Sequence, residues 1–403
     1  MSDQIPYPSP SYSPLREIYP YLQGGVLPSS SADNLLQKGL DWVDVAPFVE
    51  DQQWWSDQTL GIAPPLRLPW RIKAWGATLN LETPQISIWI DPGSNAPIPE
   101  RHPDLIIVTH AHSDHTARLA EFSVTFPDCP MVMSRLTAEM LSLRALKDIS
   151  LWECLQNSTV KLPFNEERIL SDVTLRFLPA GHLLGAAMIE IKLEDDCILV
   201  TGDFALRDVG GLPPAHWPKR QYNLVIMESA TAGRGSPPRA DVESNRRPYL
   251  VKVSDMLRQI DRFFVSAQSF GQAQELYAAL VMAQRAGAFP TLTVYLTGLA
   301  STVSDRYAKA LGNQIGPWSC RFEDLENNIP LDSVVITASD RSGAQILSNL
   351  KIFTHAGWSE HMALAVGLAC HSIAFYHGDP LSLNIALSEL GREIRILSQE
   401  KEE

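Results

Sequence analysis

Residues 108–116 read VTHAHSDHT, placing His110, His112, Asp114 and His115 within six positions directly after an apolar run. Side chains alternate along a strand, so His110 and His112 project to one side. A turn into a helix after Asp114 brings Asp114 and His115 into the same space. Imidazole and carboxylate together suit zinc first and manganese second. A pair of such cations needs further ligands, and three residues share one kind of position, the C-terminal end of an apolar strand. They are His182 in FLPAGHLLGAA, Asp203 in CILVTGDF and His377 in SIAFYHGDP. Taken singly, each reads more often as a turn or cap residue; the shared placement points to them as ligands. Two divalent cations close together lower the pKa of a shared water and clamp a phosphate for attack.

The elements that must position these residues are short. ISIWID, LIIVTH and PMVMS read as strands, followed by a helix in LTAEMLSLRALK. VTLRFLPAGH, AAMIEIKL, CILVTGDF and YNLVIMES then follow in quick succession, as in a sheet of antiparallel or mixed neighbours. After Ser229 the segment TAGRGSPPRADVESNRRP reads as a linker. Beyond it helices and strands alternate: YLVKVSDMLRQIDR helical, FFVSA a strand, GQAQELYAALVMAQRAG helical, TLTVYLT a strand, TVSDRYAKALG helical, SVVITAS a strand, GAQILSNL helical. That order implies a parallel sheet covered by helices. KIFTHAG, SIAFYHG and EIRILS are expected as closing strands.

Composition sets the bounds. The chain has 403 residues, 45% of them hydrophobic and 20% charged, and a net charge of −13. These are the proportions of a globular protein with room for two domains, and the acidic balance disfavours broad, non-specific nucleic-acid binding. The five cysteines are scattered without CxxC spacing, which reads as reduced core thiols in a cytoplasmic protein. No apolar run reaches the length of a membrane span, so no membrane partner is expected. Residues 1–30 are rich in Pro, Ser and Tyr, and Trp42, Trp54 and Trp55 follow. That segment reads either as a cap on its own domain or as part of a homodimer interface.

The ordered set HxHxDH, GH, TGD and a late His-Gly resembles the metallo-β-lactamase fold. VIMESA, FFVSAQSFGQAQELYAAL, GWSEHMA and IAFYHGD further resemble motifs of the β-CASP nucleases. The resemblance implies an α/β fold: an αββα sandwich with an inserted α/β domain whose parallel sheet is flanked by helices. The expected boundaries are an N-terminal extension over 1–67, the first part of the sandwich over 68–229, the insert over 230–350 and the closing part over 351–403. It implies one metal on His110, His112 and His182, and a second on Asp114, His115 and His377. Asp203 would bridge the two, and Asp91 would orient ligands through hydrogen bonds. It also implies His361 as general acid, held by Glu228, with Asp114 and Asp203 taking part as carboxylates. The sequence departs from the family where Glu228-Ser229 runs on as ATAG and where SEHMA places Glu360 beside His361.

A phosphodiester substrate needs cationic partners. Arg234, Arg239, Arg246 and Arg247 cluster after Glu228, and Lys219 and Arg220 precede it. With Ser229 and Ser359 they suggest one wall of a groove between two lobes. Glu228 and His377 lean the reading towards an RNA-processing hydrolase of the cleavage-factor kind that uses two Zn2+ or Mn2+ ions. The alternatives are a ligase-associated type of DNA exonuclease on the same fold and a small-molecule metallohydrolase.

Overall fold

The computed structural model describes residues 63–397 apart from 147, 158, 217–220, 232–241, 261, 288, 291, 313–331, 339–345, 349, 353 and 390–392; residues 30, 32 and 33 are also described. Among them, three sheets and nine helices organise the chain. The first sheet takes β1 (Arg71–Trp75), β2 (Thr78–Glu82), β3 (Ser87–Ile90), β4 (Leu105–Val108), β5 (Met131–Ser134) and β6 (Thr159–Leu162), in that order. Its hairpins β1–β2 and β2–β3 are antiparallel, while β3 to β6 run parallel. Interleaved with these strands are α1 (Ser113–Thr116), α2 (Leu119–Thr125), α3 (Arg135–Ala145) and α4 (Ile149–Asn157).

The second sheet begins with β7 (Glu167–Leu170), β8 (Val173–Pro179), β9 (Ala187–Leu193), β10 (Asp196–Val200) and β11 (Gln221–Glu228). After α5 (Val242–Leu257) a separate sheet forms from β12 (Arg262–Ser266), β13 (Thr293–Leu296), β14 (Ser333–Thr337) and β15 (Ile346–Leu347), ordered β13-β14-β12-β15. All its pairings are parallel, with α6 (Gln272–Arg285) and α7 (Gly298–Leu311) as crossovers. The chain then returns through α8 (Trp358–Gly367), β16 (Ala369–Tyr376), α9 (Leu381–Glu389) and β17 (Glu393–Ile396). These strands complete the second sheet in the order β17-β16-β11-β10-β9-β8-β7.

Strand alternation explains why two sheets stack. On β4, Ile107 faces a core that also holds Ile88, Ile189, Val200 and Leu224, which come from both sheets. Its neighbours Ile106 and Val108 face the opposite way, into the core under the helices. β11 does the same, with Leu224 and Ile226 inward and Val225 and Met227 outward. Both strands are buried on two faces, which is why they read as unbroken apolar runs rather than alternating ones. The result is the expected αββα sandwich with a further parallel α/β sheet.

Three local expectations change. GAQILSNL was expected to be helical, but Ile346–Leu347 is a two-residue strand paired to β12; residues 341–345 lie outside the described residues. KIFTHAG forms no strand among its described residues; it is a loop that ends where Gly357 caps α8. Strands β6 and β7 and helix α4 also occur without having been expected from the sequence. Trp42, Trp54, Trp55, Lys219, Arg220, Arg234 and Arg239 lie outside the described residues, as does the side chain of Ser359. No described helix is long and apolar enough to cross a membrane.

Candidate metal centre

His110, His112, Asp114 and His115 follow the end of β4 and lead into α1, as the alternation argument requires. Main chain passes very close behind them: a Cβ on Gly93 would lie 1.8 Å from the carbonyl oxygen of Asp114. His182 follows β8, Asp203 follows β10 and His377 follows β16. Gly202, at φ +54°, turns the chain into Asp203 against Thr109, whose Cβ would be 2.9 Å from any added Cβ. Seven side chains from four loops therefore meet at one edge of the sandwich.

They meet as two adjoining clusters. The ligand atoms of His110, His112, His182 and Asp203 lie within 4.8 Å of one another, and so do those of Asp114, His115 and His377. Asp203 reaches both: its Oδ2 is 3.4 Å from His110 Nε2, 3.6 Å from His182 Nε2 and 3.3 Å from His115 Nε2, while Oδ1 is 3.8 Å from His377 Nε2.

The outer nitrogens fix which inner atoms face the centre. His182 Nδ1 donates to the Thr354 carbonyl at 2.8 Å, and His112 Nε2 donates to the Phe270 carbonyl at 3.2 Å. The inner nitrogens, His182 Nε2 and His112 Nδ1, then face each other as lone pairs 3.2 Å apart. Asp91, expected to orient ligands, is buried beside His115 and Thr109. It accepts from His115 Nδ1 at 2.8 Å, from Thr109 N at 2.7 Å and from Thr109 Oγ1 at 2.6 Å. Thr109 Oγ1 in turn lies 2.9 Å from His110 Nδ1.

Electrostatics agree with a cation site. Burial pushes His112 down to about 4 and, with neighbouring imidazoles, holds His110 and His182 well below their usual range. Their neutral form, in which imidazole binds a metal, is thereby favoured. Burial opposes the charged form of His115, but the Asp203 and Asp91 carboxylates outweigh it and raise His115. Burial would likewise raise Asp203, but His115, His355 and His110 hold it well below the carboxylate range. Both Asp203 oxygens and His115 Nε2 are buried without a hydrogen-bond partner. Orphaned anionic oxygens beside facing lone pairs fit a divalent cation, which satisfies all of them at once.

Three expected site residues behave differently. His361 is fully buried inside α8, with Nδ1 2.7 Å from the Gly357 carbonyl and Nε2 2.8 Å from the Glu228 carbonyl. Its Nε2 is also 3.8 Å from Glu228 Oε1, but both ring nitrogens are occupied by main-chain carbonyls. Ser229 is buried and its hydroxyl donates to the Tyr376 carbonyl at 3.0 Å, joining the ends of β11 and β16 instead of lining a groove. Arg246 is not a groove cation either. It is buried, with Nε 2.8 Å from Glu275 and an NH2 2.8 Å from Asp208; Arg247 is exposed.

The sequence reading missed His355, in FTHAG. Its Nδ1 lies 3.6 Å from Asp203 Oδ2 and 3.7 Å from Glu228 Oε1, and its ring is 4.6 Å from that of His182. The side chain is 24% exposed, where His361 has no exposure at all. Burial opposes its charge, but Asp203 and Glu228 raise its pKa. The available signal was a histidine two residues before a Gly helix cap, a position that opens to a site. Arg207 reinforces the placement: it donates to the His355 carbonyl at 2.9 Å and pairs with buried Glu360.

Residues 87–249 match the family described as the Metallo-beta-lactamase superfamily. The chain carries a metallo-beta-lactamase superfamily domain. Over 217 residues it is 24% identical to an RNase J-like protein of Methanocaldococcus jannaschii, covering 52% of this chain and 50% of that protein. It is 26% identical over 233 residues to the transcription termination factor FttA of Pyrococcus abyssi, covering 53% of this chain and 36% of that factor. The chain thus spans half or less of the length of these two curated relatives. A crystal structure of a protein of unknown function from Enterococcus faecalis shares the fold, with TM-score 0.52 and 13% identity over 82% of this chain and 98% of that one.

Proposed function

We propose that this metallo-beta-lactamase domain protein is a metal-dependent nuclease of β-CASP type that hydrolyses phosphodiester bonds in RNA. The observation that carries the reading is Asp203, a buried carboxylate with two unpartnered oxygens set between two histidine clusters. Relatives named as an RNase J-like protein and a termination factor support nucleic acid as substrate, and RNA over DNA. The sheet of β12 to β15 with its helices is read as the insert, and residues 351–403 as the segment that closes the sandwich.

His110, His112 and His182 would hold one divalent ion, Asp114, His115 and His377 a second, and Asp203 both. Bound there, such ions supply Lewis-acid activation of water and a clamp on phosphate oxygens, with Zn2+ the first fit and Mn2+ the second. The remaining roles belong to the chain. Asp91 and Thr109 lock the His115 and His110 rings, while the Phe270 and Thr354 carbonyls lock those of His112 and His182. His355, rather than His361, is assigned the proton for the leaving oxygen. Its buried Nδ1 keeps a proton against Glu228 and Asp203, and Nε2 gives one up. A carboxylate behind an imidazole favours the charged ring and orients it, as a proton donor requires.

The test is cleavage of labelled RNA and DNA of matched sequence after loading with Zn2+ or Mn2+, with a chelator control. Chelator-sensitive cutting of RNA in preference to DNA is expected. Preferential cutting of DNA selects the exonuclease alternative. Turnover of small esters or lactones with neither polymer cut removes the nuclease reading.

A further inference from the structure

One flank of the metal site opens into a cavity of about 490 Å³, lined by Asp114 and His377 on its inner side. Its other walls are chemically unlike the metal centre. They include Trp75 and Gly76 at the β1–β2 turn, Asn95, and Ile396 of β17, and among the described residues no Lys or Arg lines it. Away from Asp114 and His377, its described lining offers no cationic side chain to an anion.

Trp75 is half-buried and stacks on Trp89, with ring centroids 5.4 Å apart and planes 8° from parallel. Trp89 is buried and is braced edge-on by Phe122 at 5.6 Å. Trp75 is thus the outermost plane of a three-ring column rooted in the core, so its orientation is fixed before any ligand arrives. Asn95 is exposed, and among the described residues its amide makes no hydrogen bond. Gly76, at φ +63°, brings the turn beneath it: a Cβ there would lie 3.0 Å from Asn95 Nδ2. Ile396 adds an apolar wall, 49% exposed. A fixed aromatic plane, an apolar wall and one free amide select a neutral, planar heteroaromatic group with a hydrogen-bonding edge. Nucleobases have these features, and protein aromatics bind them by stacking.

We propose that this cavity takes the base of a nucleotide adjoining the scissile phosphate, stacked on Trp75 with Asn95 at its edge. The inference rests on the nuclease reading above and specifies where its substrate is gripped. It is tested by single-turnover cleavage of an RNA oligonucleotide in which one abasic nucleotide is moved through successive positions, using the wild type, Trp75→Leu and Trp75→Phe. Each variant is first shown to melt as the wild type does. One abasic position should slow the wild type by roughly ten-fold. Trp75→Leu should slow the intact substrate by a similar factor and add nothing to the abasic defect, and Trp75→Phe should restore most of the rate. Equal slowing of intact and abasic substrates by Trp75→Leu, or no sensitive position, overturns the proposal. Saturation-transfer NMR with AMP separates it from the nuclease reading. If no RNA is cut but saturation of the base protons depends on Trp75, the base site stands and the activity falls. Saturation unchanged in Trp75→Leu overturns the site.

Discussion

His355 Nδ1 and Glu228 Oε1 face each other 3.7 Å apart, and among the described residues neither atom has a hydrogen-bond partner. The pair borders the metal centre through Asp203, 3.6 Å from the same nitrogen. His355→Ala should lower kcat by roughly 10²–10⁴-fold while metal content stays near wild type. His361→Ala should instead act on stability, because its ring links Gly357 to Glu228 within the fold. Single-turnover rates, metal analysis and thermal melts on both variants check this. A large rate loss in His361→Ala with normal melting and metal content would return the acid role to His361.

Asp203 touches both clusters, so Asp203→Asn should lower metal content at both rather than at one. Metal that binds only the folded state stabilises it by about 2.7 kcal/mol at a hundred-fold excess over Kd. Added Zn2+ should therefore raise the wild-type melting temperature clearly, and that of Asp203→Asn far less. Equal shifts in the two proteins would mean that Asp203 is not a shared ligand.

Arg207 and Glu360 form a buried ion pair. Glu360 also accepts from Leu206 N and Gly357 N, each at 2.7 Å. The pair ties the loop after Asp203 to the loop bearing His355. Removing one partner strands a buried charge, at a cost of about 3–5 kcal/mol. Arg207→Met should show such a loss in urea denaturation, whereas the double variant Arg207→Met/Glu360→Met should recover part of it. Additive losses would rule out direct coupling.

The proposed metal ligands were legible because they follow strand ends, where an apolar run stops at a His or Asp. The sandwich and the parallel β/α alternation were legible from the same runs. His355 was hidden because FTHAG looks like a strand and the SEHMA that follows carries the more conspicuous histidine. Only the Gly357 helix cap decides which of the two faces the site: the residue before the cap stays in the loop, and the one four residues into the helix turns inward. Arg246 looked like a groove cation because its partner Glu275 lies 29 residues away on another helix, a pairing that no local pattern encodes.

That Arg246–Glu275 contact gives a pH prediction. Burial alone would raise the Glu275 carboxyl, but Arg246 holds it below its usual range. The folded-state pKa is depressed, so the contribution to stability is complete above the unfolded value of about 4.3 and is lost as pH falls through the lower folded value. Asp208, raised chiefly by burial, works in the opposite sense. Glu275→Gln should cost about 3 kcal/mol at pH 7, with the gap from wild type closing on acidification. Denaturation midpoints from pH 3 to 7 test it; a gap independent of pH would contradict the assignment.

The central claim is that seven side chains from four loops cage a pair of divalent ions. The most direct measurement is metal stoichiometry by mass spectrometry on protein equilibrated with Zn2+ and freed of excess ion. Two ions per chain are expected in the wild type, with losses confined to variants of these seven residues. A wild type that retains no ion after such loading would contradict the account.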